Sequence, residues 1–256
     1  MAPARLSSER SGALLKVRLE RPEKRNALSR GLLEDLRAAF SEAAGDPGIR
    51  LAVLTGAGER CFAAGGDLRE LDGVRTRAET EAMAQAARAA LDAVRGFPVP
   101  VVAALNGDAL GGGAELAMAC DFRVAARHAR IGFLQGRLNL PTAWGGGIDL
   151  CQAVGPGAAL RLLARAEILE AAEALAQGLL DAVAAPGQDL DAAVEDFAAP
   201  ILSRPPQVLR AVKALTLAAR AGAPRHDLAA LEQSRFVECW LHDDHWDAAS
   251  RALPGA

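Results

Sequence analysis

The stretch PVVAALNGDALGGGAELAMACDFRVA, residues 100–125, decides the fold. Val101 to Leu105 is a short unbroken apolar run, the pattern of a strand buried on both faces. NGDALGGG follows, then AELAMAC as a short apolar helix, and DFRVA returns as a strand. Strand, helix and strand in this order predict a parallel sheet with right-handed crossovers, an α/β architecture.

The same grammar extends on both sides. Leu51 to Leu54 (LAVL) is a second buried strand, and the loop TGAGERCFAAGGDLREL runs directly from it. Further upstream, Gly31 to Ala44 has apolar residues at 32, 33, 36, 39 and 40, one face of a helix. Ala13 to Leu19 (ALLKVRL) alternates as a half-buried strand does, and Arg21-Pro22 ends it. Beyond residue 155 the character turns helical, at 158–165, 171–177, 189–202, 207–219 and 227–241, with 181–184 as the one further strand. Pro205-Pro206 and Gly222-Ala-Pro224 punctuate this half. The expected organisation is an α/β core over residues 1–200 and a C-terminal helical region over 201–256.

Composition narrows the function classes. A chain of 256 residues, 51% hydrophobic and 24% charged, is globular and can bury its own core. A net charge of −3 gives no field that would gather nucleic acid or an anionic membrane. Cys61, Cys120, Cys151 and Cys239 have no CxxC spacing, which argues against disulfides and zinc and makes a reducing cytoplasm the expected compartment. The first 22 residues lack an apolar signal region, and the longest apolar run, around Val99 to Leu105, is far too short to span a bilayer.

Three glycine-bearing loops are the places where chemistry can sit: Ala63 to Asp67 (AAGGD), Gly111 to Gly113, and Gly145 to Gly147. Glycine in such positions lets a ligand approach the backbone, and exposed N–H groups can donate to it. GDALGGGAE lacks the spacing of a dinucleotide fingerprint, and no glycine is followed by lysine as a P-loop requires. Two backbone donors aimed at one oxygen would stabilise an enolate or a tetrahedral oxyanion, and a thioester carbonyl is an apt substrate group because its enolate is accessible. Glu115 reads equally as a helix-end charge favoured by the dipole or as a desolvated acid/base.

At these residues the sequence resembles the crotonase (enoyl-CoA hydratase/isomerase) family: RPEKRNALS at 21–29, CFAAGGDLREL at 61–71, the segment 100–125, and WGGGIDLCQAVG at 144–155. The resemblance implies a spiral of ββα turns forming two nearly perpendicular sheets, with a C-terminal helical part that assembles homotrimers or dimers of trimers. It implies an acyl-CoA substrate, no cofactor beyond that substrate's own CoA, and the N–H groups of Ala64 and Gly112 as the oxyanion hole. Glu115 falls on the first catalytic glutamate of the hydratases. Arg25, Ala27, Leu28, Ala63, Ala64, Gly65, Gly66, Asp67, Leu68 and Gly112 match segments that line CoA.

One position departs from the hydratase pattern. Where those enzymes carry a second glutamate this chain has Gln135, and no Asp or Glu occurs from Val124 to Gly147. An amide cannot exchange a proton at neutral pH, although it can hold water or a carbonyl. The expectation is therefore a hydratase-like lyase working with Glu115 alone. Decarboxylation of a malonyl-type acyl-CoA, which needs one proton source, and acyl-CoA binding with little chemistry are the alternatives.

Overall fold

The strand, helix and strand expected at residues 101–125 form as predicted. The computed structural model describes residues 5–252. In chain order its elements are β1 (Leu6–Ser11), β2 (Leu14–Leu19), α1 (Arg30–Ala43), β3 (Leu51–Gly56), β4 (Cys61–Ala63), α2 (Leu68–Leu71), α3 (Arg77–Arg95) and β5 (Val101–Leu105). There follow β6 (Asp108–Leu110), α4 (Gly112–Ala119), β7 (Phe122–Ala125), β8 (Arg130–Gly132), α5 (Gly146–Val154), α6 (Pro156–Arg165), β9 (Leu169–Glu170) and α7 (Ala171–Ala176). The chain ends with β10 (Ala182–Val183), α8 (Leu190–Leu202), α9 (Pro206–Arg220), α10 (Arg225–Trp240) and α11 (Asp243–Ala252).

Two sheets carry the fold. The larger is ordered β1-β2-β3-β5-β7-β10, parallel except for the antiparallel β1–β2 hairpin at one edge. β3 and β5 at its centre are buried at every position, as their unbroken apolar runs require. On one face lie α1, through Leu32, Leu33, Leu36 and Phe40, and α3, through Ala87, Ala90, Leu91 and Val94. Phe40 and Phe97 meet there edge to face, 5.3 Å between centroids. On the other face α8 lays Val194 and Ala198 against Val53, Val102 and Val124. The boundary expected at residue 200 falls inside this helix.

The smaller sheet, β4-β6-β8-β9, positions the site. β4 and β6 are adjacent and parallel, pairing Cys61 with Asp108 and Ala63 with Ala109. Their carboxyl ends therefore lie together, and the loops Ala64 to Asp67 and Gly111 to Gly113 leave the sheet side by side. These strands are three residues each, inside stretches the sequence presents as loops, and three residues are too few to show a period.

Among the described residues, no helix is long and apolar enough to cross a membrane. α10 buries none of its side chains, and Trp240 and Trp246 are exposed rather than core, clustered with Phe236 and His245 on one surface.

Candidate active site

The two glycine loops interlock. Gly111, at φ +55°, turns the chain from β6 into α4, and its N–H donates to the Gly132 carbonyl at 2.8 Å. Gly113 presses its α-carbon against β4: a methyl group there would lie 1.9 Å from the Ala63 carbonyl oxygen. A methyl on Gly65 would lie 3.2 Å from the Gly112 nitrogen. Gly113→Ala is accordingly expected to push β4 and α4 apart, lowering stability by about 1–3 kcal/mol. Calorimetry measures the fall in Tm, and an unchanged Tm would show that the contact is dispensable.

The donors are not quite those expected. The Ala64 N–H donates to the Arg25 carbonyl at 3.1 Å and so is already committed, which overturns its assignment to the oxyanion hole. The Gly66 N–H, two residues on, has no partner among the described residues, nor does the Gly112 N–H at the open amino end of α4. Both glycines face the Trp144 indole, which a methyl would meet at 3.4 Å from Gly66 and far closer from Gly112. The register error of two arises because the Gly65 carbonyl takes the Leu28 N–H at 2.8 Å, while the Asp67 N–H returns to the Leu28 carbonyl at 3.2 Å. That bridge leaves Gly66, between them, as the free donor.

Glu115 is 2% exposed on the first turn of α4. Its Oε2 accepts the N–H groups of Trp144 at 2.9 Å and Gly146 at 3.1 Å. Its Oε1 accepts Nε2 of Gln135 at 2.8 Å. The third glycine loop is needed for this clamp, since a methyl on Gly146 would lie 2.5 Å from the Glu115 side chain. Burial raises the Glu115 pKa above the ordinary carboxylate value, and the N–H donors only partly oppose it. The Glu115 carboxyl is therefore desolvated rather than a helix-end charge facing solvent. Gln135 spends its Nε2 on Glu115, and its Oε1 is buried with no hydrogen-bond partner, the one such side-chain atom among the described residues.

These groups open onto a cavity of about 440 Å³, lined by Gly66, Gly112, Glu115, Gln135 and Trp144 with an apolar wall that includes Leu71, Met83 and Leu110. Arg25, Ala64, Gly65 and Leu68, four of the positions matched to CoA, also line it. The other positions matched to CoA do not. Ala63 is wholly buried in β4, and Asp67 turns away to Arg21 at 2.9 Å. Ala27 gives its carbonyl to Arg21, while Leu28 faces a second cavity of about 490 Å³. That second cavity shares three residues with the first, Leu71, Met83 and Trp144. Sequence reasoning missed Leu71, Met83 and the buried Asn26, whose amide ties the Arg25 turn to the Ala57 and Cys61 carbonyls. Their signal is weak: Leu71 and Met83 read as ordinary core, and the Asn26 φ of +52° is invisible before folding.

The site thus brings a clamped, desolvated carboxylate beside two unpartnered backbone N–H groups on a two-sheet α/β frame. The sequence pattern of enoyl-CoA hydratase/isomerase matches residues 9–248. The chain is 36% identical to a crotonyl-CoA hydratase of Syntrophomonas wolfei, over 84% of its own length and 82% of the relative's. It is 35% identical to a short-chain-enoyl-CoA hydratase of Clostridium acetobutylicum, covering 94% and 91%. The crystal structure of an enoyl-CoA hydratase from Bacillus anthracis superposes with a TM-score of 0.90 at 30% identity, covering 96% of this chain and 95% of that one. The chain belongs to the enoyl-CoA hydratase/isomerase family, a family of lyases.

Proposed function

We propose that the protein adds water across the C2=C3 bond of an enoyl-CoA thioester, with Glu115 as its one acid/base. The observation that carries this is the Glu115 carboxylate, clamped through Oε2, in one cavity with the unpartnered N–H groups of Gly66 and Gly112. The thioester oxygen accepts both N–H groups, so the charge that develops as water attacks C3 falls on an oxygen with donors already in place. Glu115 takes one proton from that water, and the hydroxyl stays on C3. The same carboxyl then returns the proton to C2, and the enolate collapses to the thioester. Gln135 Oε1, an acceptor without a donor, takes the second O–H of the water and orients it. No cofactor is called for beyond the substrate's CoA, and the exposed apolar face of α10 suits homotrimers or dimers of trimers.

Decarboxylation of a malonyl-type acyl-CoA is the second reading, favoured by the amide at Gln135 where a second carboxylate is otherwise needed. Turnover of crotonyl-CoA against ethylmalonyl- and methylmalonyl-CoA decides between them. Loss of carbon dioxide without hydration would overturn the first reading, and tight binding of a saturated acyl-CoA with no turnover of any of the three would overturn both.

The acyl chain runs past Trp144 toward Leu71 and Met83, and longer chains continue into the second cavity. Ala86 lines that cavity and not the first. Ala86→Trp is expected to lower kcat/KM for 2-dodecenoyl-CoA by roughly tenfold while crotonyl-CoA stays within about twofold. Equal losses on both substrates would place the chain elsewhere.

A further inference from the structure

The buried charges behind the site are absorbed by no step above. Asp149, on the first turn of α5, is almost wholly buried and accepts Nη2 of Arg95 at 2.7 Å and Nη2 of Arg220 at 2.9 Å. Arg220 reaches on with Nη1 to Asp121 at 3.4 Å, and Asp121 also takes Nζ of the buried Lys213 and the Val101 N–H at 2.8 Å. The Arg220 carbonyl in turn accepts Nε2 of Gln152, on α5, at 2.6 Å. Asp121 lies one residue beyond the C-cap of α4, the helix that bears Glu115, whereas Asp149 sits on the helix whose amino end supplies the Gly146 N–H. The last residue of α9 therefore ties together the helix that carries the carboxylate and the turn that clamps it. Arg95 completes the arrangement by packing on Gly145, which holds a left-handed φ of +98°.

We propose that Arg220 is a positioning residue for Glu115: by bridging Asp149 and Asp121 it fixes the turn from which the Trp144 and Gly146 amides hold the carboxylate. This rests on the acid/base role given to Glu115 above. The other charged groups on the elements around Glu115 are Arg25 and Arg137 at the cavity, Arg88 on α3, which donates to the Ala143 carbonyl at 2.8 Å, Arg95 on α3, which also pairs with Asp92, Asp108 on β6 paired with Arg130, and Arg123 on β7 paired with Asp181. Those on β6 and β7 are matched by their own partners. Asp149, in contrast, stands between two guanidinium groups, so removal of Arg220 leaves a buried negative charge held by Arg95 alone. Both consequences act on Glu115 in one direction. A loosened clamp donates less to the carboxylate, and a less compensated Asp149 disfavours a second negative charge.

The test compares Arg220→Ala, Arg220→Gln, Arg220→Lys and Gln152→Ala with the wild type. The Glu115 carboxyl is titrated without substrate by infrared difference against Glu115→Gln, and kcat for crotonyl-CoA is followed against pH. Arg220→Ala and Arg220→Gln should move the Glu115 titration to higher pH and lower kcat on the acidic side by roughly 2- to 30-fold, KM changing little. Arg220→Lys, which keeps one charged bond to Asp149, should move both less. Gln152→Ala, which loses only the docking bond, should leave the titration in place. An unmoved titration in a folded Arg220→Ala or Arg220→Gln protein, or an equal shift in Gln152→Ala, overturns the proposal. Absence of wild-type turnover would remove the proposed function instead, and the substrate-free titration would still decide the role of Arg220.

Discussion

Glu115→Gln is expected to lower kcat for hydration by roughly 10²- to 10⁴-fold while raising thermal stability. The kinetic loss follows because the cavity lining contains no other carboxylate, so nothing replaces the base that takes the proton from water. The gain in stability follows from linkage. Burial holds the Glu115 pKa above its ordinary 4.5, so the folded protein binds this proton more tightly than the unfolded chain. Stability is therefore lost as pH rises from the unfolded value through the folded one. An amide removes that loss. Its oxygen can keep the Trp144 and Gly146 N–H groups, and its NH₂ can meet Gln135 Oε1 once that side chain turns over. In a chain of this size each kcal/mol recovered raises Tm by about 2–4 °C. Calorimetry at pH 8 and pH 4.5 should show the gain shrinking at the lower pH. Full hydratase activity in Glu115→Gln would sink the mechanism.

Gln135→Glu should raise hydration by roughly 10²-fold. The replaced amide donates to Glu115 at 2.8 Å, so the new carboxyl lies within hydrogen-bond reach of the old one. Two carboxyls so close cannot both ionise in a dry site, and they share one proton. The pair then supplies a base for water and an acid for C2 together, where the wild type must use Glu115 in turn. The pH profile is the sharper readout. Wild-type kcat should rise with pH to a plateau as Glu115 ionises, whereas the pair should give a bell. If decarboxylation is the reaction, the substitution brings no such gain, because one proton source already suffices.

The large sheet was legible because β3 and β5 are unbroken apolar runs, and α1 because its apolar face contrasts with its charges. α3 was not, for half of its buried face is alanine, and neither was β1, an exposed edge strand reading LSSERS. At the site, the glycine loops and Glu115 stood out in sequence because glycine and a carboxylate are costly beside apolar segments. Which amide stays free is a different kind of fact. It depends on the Leu28 bridge to Gly66, a contact across 38 positions that no local pattern encodes.

Trp144 gives the molecule a built-in optical probe. The chain has no tyrosine and three tryptophans, two of them on the exposed surface of α10 and α11. Replacing Trp240 and Trp246 by phenylalanine leaves one emitter, the indole that lies on the two donor glycines and between both cavities. Its fluorescence would then report occupancy of either chamber directly, without any label on the ligand.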